Sequence, residues 1–252
     1  MTLKSIFKIV FFVFPYNLRR MIYQVLLPSR FSCMQRERII VTEAGYSFQP
    51  FDQHKCIFVH VPKTAGVSVA RSLFGNLAGG HTPLEKYQII FSKNEYENYF
   101  KFTFVRNPWD RLVSAYSFLR NGGFDEQDRL WAQNNLSSYN DFDGFVKGWV
   151  RKRNIESKIH FMPQYKFVCE PMKFSPGVNY IGYFENLEDD YYYIRNMLGI
   201  KASLPHLNST ERKKDDYRNF YTEETKKIVA DVYMKDIQIF GYDFDNTKHN
   251  RY

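Results

Sequence analysis

Thirteen residues constrain this chain more than any others: Cys56-Ile57-Phe58-Val59-His60-Val61-Pro62-Lys63-Thr64-Ala65-Gly66-Val67-Ser68. They open as an apolar, β-branched run, the composition of a strand buried on both faces. The run breaks at Pro62, and helix-compatible residues follow from Val67 to Asn76. A strand, a tight loop and a helix in that order turn the helix's unpaired first N–H groups into the loop, where they attract anions, phosphate above all. Lys63 adds a full positive charge, Thr64 and Ser68 add hydroxyl donors, and Gly66 lacks the Cβ that would hold a phosphate off the backbone. Pro62 to Ser68, including the amides of Ala65 and Val67, therefore form a candidate phosphate cradle. The plain alternative is an ordinary βα turn with a lysine in solvent. A nucleoside-triphosphate loop needs G-x-x-x-x-G-K-[ST], whereas Lys63 stands three residues before the only glycine here, so a kinase or ATPase loses most of its support.

A second stretch repeats the pattern. Phe102 to Val105 reads as a strand, Arg106-Asn107-Pro108 as a turn, and Trp109 to about Leu119 as a helix, with Asn107 suited to the N-cap and Pro108 to the first turn. In parallel α/β sheets ligands gather beyond the carboxyl ends of strands, so the two units are expected to face one crevice. Arg106 would then grip a second phosphate in a fork, with Ser114 donating beside it.

The pair V-P-K-T-A-G-x-S and F-V-R-N-P-W-D-R-L-V-S-A-Y, about 40 residues apart, resembles the two cofactor signatures of sulfotransferases that use 3'-phosphoadenosine-5'-phosphosulfate (PAPS). The likeness is to the carbohydrate branch, with heparan sulfate 2-O-sulfotransferases, chondroitin 4-O-sulfotransferases and bacterial relatives. Pro163-Gln164, Tyr180-Ile181-Gly182, Phe184-Glu185-Asn186-Leu187, and the tail from Tyr233-Met234-Lys235-Asp236 to Phe240-Gly241-Tyr242 extend it over roughly residues 55–244. The resemblance implies an α/β, P-loop-like three-layer domain, with a central mostly parallel sheet flanked by helices. It also implies in-line transfer of a sulfuryl group from PAPS to a sugar hydroxyl, giving adenosine 3',5'-bisphosphate without a metal.

By the same resemblance Lys63 and the amides of Thr64 to Ser68 hold the 5'-phosphate, and Arg106 and Ser114 the 3'-phosphate. His81, on the loop Ala78-Gly79-Gly80-His81, inherits the role of general base, which suits imidazole at neutral pH. Arg212, then Lys213, would approach the 3'-phosphate from a closing loop. Lys147, Arg151, Lys152 and Arg153 would bind an acidic sugar chain, although a charge run is more often a solvated face, and Gln164 would line the cleft. Two positions depart from the family: Tyr183 stands where arginine is common, and Val67 where Thr or Ser is frequent.

The remaining sequence sets the frame. With 252 residues the chain suits one domain, expected at 51–252 after an N-terminal extension at 1–50. Arg30 to Gln53 reads as polar and irregular, and Asp125 to Asp143 as loop-rich or weakly helical. Val178 to Gly182 reads as a strand, Asn186 to Leu198 as a helix, and Thr222 to Phe240 as one final helix. His60, inside the first strand, is expected to be buried and hydrogen-bonded. The net charge of +8 favours anionic partners, among them an acidic glycan or glycolipid. No RNA- or DNA-binding motif accompanies it, so no nucleic acid is expected.

Ile6 to Phe14 is an apolar run of nine residues, short of the roughly 20 that cross a bilayer. Residues 1–27 could rest on a membrane surface through Lys4, Lys8, Arg19 and Arg20, or pack as a helix on the domain, the better supported of the two. Eukaryotic members of the look-alike branch typically carry a longer anchor and a stem. That contrast, with three scattered cysteines and no C-x-x-C pair, places the chain in the cytoplasm rather than in a Golgi type II arrangement, and indicates no zinc site. The rival functions are a nucleotide-dependent kinase and a non-catalytic basic protein that binds glycan or membrane.

Overall fold

A computed structural model describes residues 11–170, 175–204 and 216–245. In chain order the elements are α1 (Tyr16–Leu26), α2 (Pro28–Arg36), α3 (Gln49–His54), β1 (Cys56–Val59), α4 (Gly66–Phe74), α5 (Leu84–Ile90), α6 (Lys93–Asn98), β2 (Phe100–Val105), α7 (Pro108–Arg120), α8 (Glu126–Leu136), α9 (Phe142–Gly148), α10 (Tyr165–Val168), β3 (Tyr180–Tyr183), α11 (Leu187–Met197), α12 (Glu223–Val232) and α13 (Met234–Phe240). The strands form one parallel sheet in the order β1-β2-β3, with Phe58 opposite Phe102 and Phe102 opposite Tyr180. This is the expected α/β domain.

Parallel strands covered on both faces need apolar side chains throughout, and β1 is buried at every residue. Lys101 is the charged exception in β2. Its ammonium is buried but donates to the carbonyls of Tyr96 and Tyr99 at 2.7 and 2.9 Å, which satisfies the cost of burying a charge. Because all three strands run the same way, the Lys63 loop, the Arg106 turn and the Tyr183–Phe184 turn leave the sheet at one edge.

Two cores support this edge. Phe51, Phe58, Tyr87, Phe102, Phe104 and Tyr191 pack around the sheet. Trp109, Phe142, Phe145, Trp149, Phe161 and Tyr233 form an aromatic core between helices, with the Phe145 ring 5.3 Å from Trp149 and 5.5 Å from Phe161. Each fully buried aromatic contributes on the order of 1.5–3 kcal/mol.

The structure departs from the sequence reading in three places. Asp125 to Asp143 is helical, because Asp125 and Asp141 each cap a helix by accepting a backbone N–H three residues on. The last helix is two helices, broken at Tyr233, which leaves helical geometry at φ −105°, ψ 19° and donates its buried hydroxyl to the Phe161 carbonyl at 2.7 Å. Val229 and Tyr233 serve the helical core and Phe240 the sheet core, so the break lets one apolar stripe change partners. The polar stretch after Arg30 contains α2 and α3 and packs onto the body. There Arg38 bridges Asp52 and Glu95, each at 2.7 Å, and Gln35 donates to the Ile90 carbonyl at 2.8 Å.

Candidate active site

The loop from β1 to α4 holds Lys63 at φ +70° and Ala65 at φ +64°. Left-handed backbone at a residue with a Cβ costs about 1–3 kcal/mol and persists where the surroundings impose it, often at sites that bind or react. Left-handed residues before a helix also create concave nests of backbone N–H groups that suit anions. Three predicted contacts are corrected in detail. The buried Thr64 hydroxyl donates to the Val61 carbonyl at 2.9 Å and so closes the loop instead of facing a ligand. At Gly66 a Cβ would stand 1.9 Å from the His60 ring, so this glycine makes room for the imidazole. The buried His60 stacks on Phe58 at 5.5 Å, but its Nδ1 has no hydrogen-bond partner among the described residues, against the hydrogen-bonded state expected.

Lys63 and Ser68 border a cavity of about 430 Å³ shared with His81, Phe118 and His160. The Lys63 ammonium stands 3.9 Å from the Phe118 ring centroid, a cation–π contact. His81 Nδ1 lies 3.3 Å from the His60 carbonyl, which can only accept, so Nδ1 carries the proton and Nε2 keeps its lone pair. Burial, with Lys63 and Arg111 nearby, holds His81 below the usual imidazole range despite that carbonyl. His160 Nε2 lies 3.4 Å from Asp128, whose other oxygen is 2.5 Å from Lys158 Nζ. Burial dominates there too and pushes His160 down to about 4, although Asp128 opposes it. Buried Arg111 fastens the two sides together, donating to the carbonyls of Pro62 at 3.2 Å, His160 at 3.3 Å and Met162 at 2.6 Å. Sequence reasoning missed His160, Asp128, Lys158 and the role of Arg111. His160 was within reach, three residues before the noted Pro163-Gln164, whereas nothing local marks Asp128.

The Arg106 corner touches the first one but does not line the cavity. Arg106 donates from Nη1 to the Lys63 carbonyl at 3.1 Å and from Nε and Nη2 to Asp110 at 2.8 and 2.7 Å, with its plane 4.0 Å over Phe184. Three of its five N–H groups are engaged, which leaves one on each Nη nitrogen. Asn107 caps α7 as predicted, accepting from the Trp109 N–H at 3.1 Å, and its own N–H donates to Glu185 at 2.6 Å. Ser114 is half-buried on α7.

Gln164 is corrected. It is fully buried and does not line the cleft, because its amide pairs twice with the Arg106 backbone, at 2.9 and 2.8 Å. Nor do Lys147, Arg151 and Arg153 border the cavity. Lys147 is paired with Asp143 and Glu224, Arg151 donates to the Val150 carbonyl at 2.8 Å, and Arg153 is exposed. Arg212 and Lys213 lie outside the described residues.

A profile of the sulfotransferase family matches residues 47–243, which contain the cradle, the three histidines of the cavity wall (His60, His81 and His160) and the Arg106 turn. The chain belongs to the sulfotransferase family. It is 27% identical over 233 residues to carbohydrate sulfotransferase 14 of Danio rerio, covering 78% of this chain and 62% of that protein. It is 24% identical over 259 residues to carbohydrate sulfotransferase 11 of Rattus norvegicus, covering 85% of this chain and 72% of the relative. An uncharacterized protein of Archaeoglobus fulgidus is 30% identical over 127 residues, 50% of this chain and 88% of its own length. The chain thus spans less than two thirds of the zebrafish relative. No solved structure matches.

This membership corrects the cytoplasmic placement. The zebrafish and rat relatives are carbohydrate sulfotransferases, whose eukaryotic members typically carry a membrane anchor, so a short apolar run is no ground for setting a Golgi type II arrangement aside. No helix among the described residues is long and apolar enough to cross a membrane. No group of three His, Cys, Asp or Glu side chains among the described residues is arranged to hold a metal ion. At the departure from the family, Tyr183 ends β3, donating its N–H to Asp190 at 2.6 Å and its hydroxyl to the Phe240 carbonyl at 3.4 Å.

Proposed function

We propose that this protein moves a sulfuryl group from PAPS to a hydroxyl of a carbohydrate acceptor, with His81 as general base. Family membership and the likeness to carbohydrate sulfotransferases 14 and 11 support the reaction and the acceptor class. One observation carries the donor and the base: the strained Lys63–Ser68 loop and the neutral, oriented His81 border the same cavity. PAPS supplies an activated sulfuryl group on a doubly phosphorylated adenosine. Lys63 and the amides from Thr64 to Ser68 hold its 5'-phosphate, and Lys63 offsets negative charge that grows on the leaving oxygen. The two unengaged N–H groups of Arg106 and the Ser114 hydroxyl receive the 3'-phosphate, the group that separates this nucleotide from ATP. His81 Nε2 takes the proton of the acceptor hydroxyl while the His60 carbonyl holds the ring. Arg111 keeps the cradle and the His160 side at fixed separation.

The test supplies labelled PAPS and a panel of glycans and follows the added sulfate by mass spectrometry, alongside calorimetry with adenosine 3',5'-bisphosphate and with ATP. The proposal expects sulfated glycan and preference for the bisphosphate. Label that stays on the donor, with ATP bound more tightly, would point to a kinase and end this reading.

A further inference from the structure

We infer that Phe124 is the platform on which the acceptor stacks, and that the pyranose seated there is uncharged. This rests on the proposed carbohydrate acceptor. Phe124 is 74% exposed and borders the same cavity as Lys63 and His81. A single exposed aromatic is ordinary on a protein surface, but the backbone that carries this one is held in place. Gly122 at φ +96° and Gly123 at φ +72° form the turn before it, and the Phe124 N–H donates to Asp128 Oδ2 at 3.0 Å. A Cβ on Gly123 would stand 2.1 Å from Asp128 Cβ, so the turn is pressed against the residue that latches it. Asp128 in turn grips Lys158 and faces His160, so one carboxylate fixes the platform and the wall beneath it. An aromatic ring with an open face and a fixed backbone presents a negative quadrupole surface to the C–H groups of a pyranose.

The charge of this wall selects among sugars. Among the described residues bordering the cavity, Lys63 and Lys158 are the cationic side chains other than histidine, against the carboxylates of Asp125 and Asp128. Lys63 serves the donor in the proposed reaction, and Lys158 is paired with Asp128. His81 and His160 are kept neutral by burial. A uronate seated here meets Asp125, an exposed carboxylate that caps the Asp128 N–H, with both ammonium groups already assigned, and like charges brought together oppose binding. The basic cluster around Lys147 and Arg151, which suggested an acidic glycan, is elsewhere and engaged.

The test measures binding of matched disaccharides at saturating adenosine 3',5'-bisphosphate by saturation-transfer NMR and calorimetry. Galactosyl- and glucosyl-N-acetylglucosamine are each compared with the counterpart oxidised to the uronate. The inference expects the neutral member of at least one pair to bind about tenfold tighter or more. Phe124→Ala should weaken it by about tenfold, with Phe124→Tyr restoring it and nucleotide affinity unchanged. Preference for the uronate, binding of neither sugar, or an unaltered Phe124→Ala affinity would overturn it. The donor reading fails separately if the bisphosphate does not bind while the neutral sugar does.

Discussion

At the Lys63 corner the ammonium lies over an aromatic face, the backbone is held left-handed at two residues, and the histidine beside it borders a cavity. At the Arg106 corner the guanidinium is forked onto Asp110 and covers Phe184, the turn's peptide groups are paired with Gln164, and the following N–H is taken by Glu185. Tyr242 completes that lock by donating to Glu185 at 2.9 Å. Both corners are a strand, a turn with one cation, and a helix. They differ in where the hydrogen bonds go: the first turns its lysine and its left-handed backbone toward a cavity, and the second uses most of its side-chain donors within the protein, one of them on the Lys63 carbonyl. Variants of one should alter chemistry, and variants of the other stability and nucleotide affinity.

The largest effect is expected from His81→Ala, which should lower turnover by roughly 10²- to 10⁴-fold while adenosine 3',5'-bisphosphate still binds. Wild-type turnover in steady-state assays would remove His81 from the reaction. Lys63→Ala should raise the activation barrier by about 2–4 kcal/mol with a melting temperature close to wild type. A large fall in melting temperature with chemistry preserved would invert the comparison.

Acid should act through the buried histidines of the open corner. His160 is held at about 4, below the 6.5 of an unfolded chain. Between those values the unfolded state binds more protons, so the contribution of His160 is complete above pH 6.5 and is lost as the pH is lowered toward 4, by about 3 kcal/mol at most. Urea midpoints from pH 4 to 8 should show this slope, and His160→Gln should flatten it. The lowered His81 likewise places the acid limb of kcat/KM below pH 6.5.

Smaller effects belong to the closed corner. Gln164→Ala leaves the Arg106 N–H and carbonyl unpaired and should cost about 1–3 kcal/mol in denaturant titrations, with turnover per folded molecule far less affected than by Lys63→Ala. Arg106→Ala should weaken the bisphosphate by about tenfold, or ~1.4 kcal/mol, in calorimetry. Unchanged affinity would confine Arg106 to a structural role.

Much of this was legible in the chain. The strands and helices around Lys63 and Arg106 were read within a few residues, because a buried parallel strand must be continuously apolar and Pro108 and Asn107 mark a helix start. The break at Tyr233 was not, since no proline or glycine announces it and the stripe of Val229, Tyr233 and Phe240 looks uniform until it is divided between two cores. Gln164 was misassigned because an amide reads alike whether it meets a ligand or a backbone.

The sequence alone determined the two corners, the order of strand, loop and helix, and the family, because these depend on residues close together in the chain. Tertiary structure decided which polar groups remain available. The Thr64 hydroxyl, the Gln164 amide and three N–H groups of Arg106 found partners inside the protein, while Asp128, Lys158 and His160 joined Lys63 and His81 from a distance. A buried polar group must be paired, and its partner is set by the packed fold rather than by its neighbours in sequence.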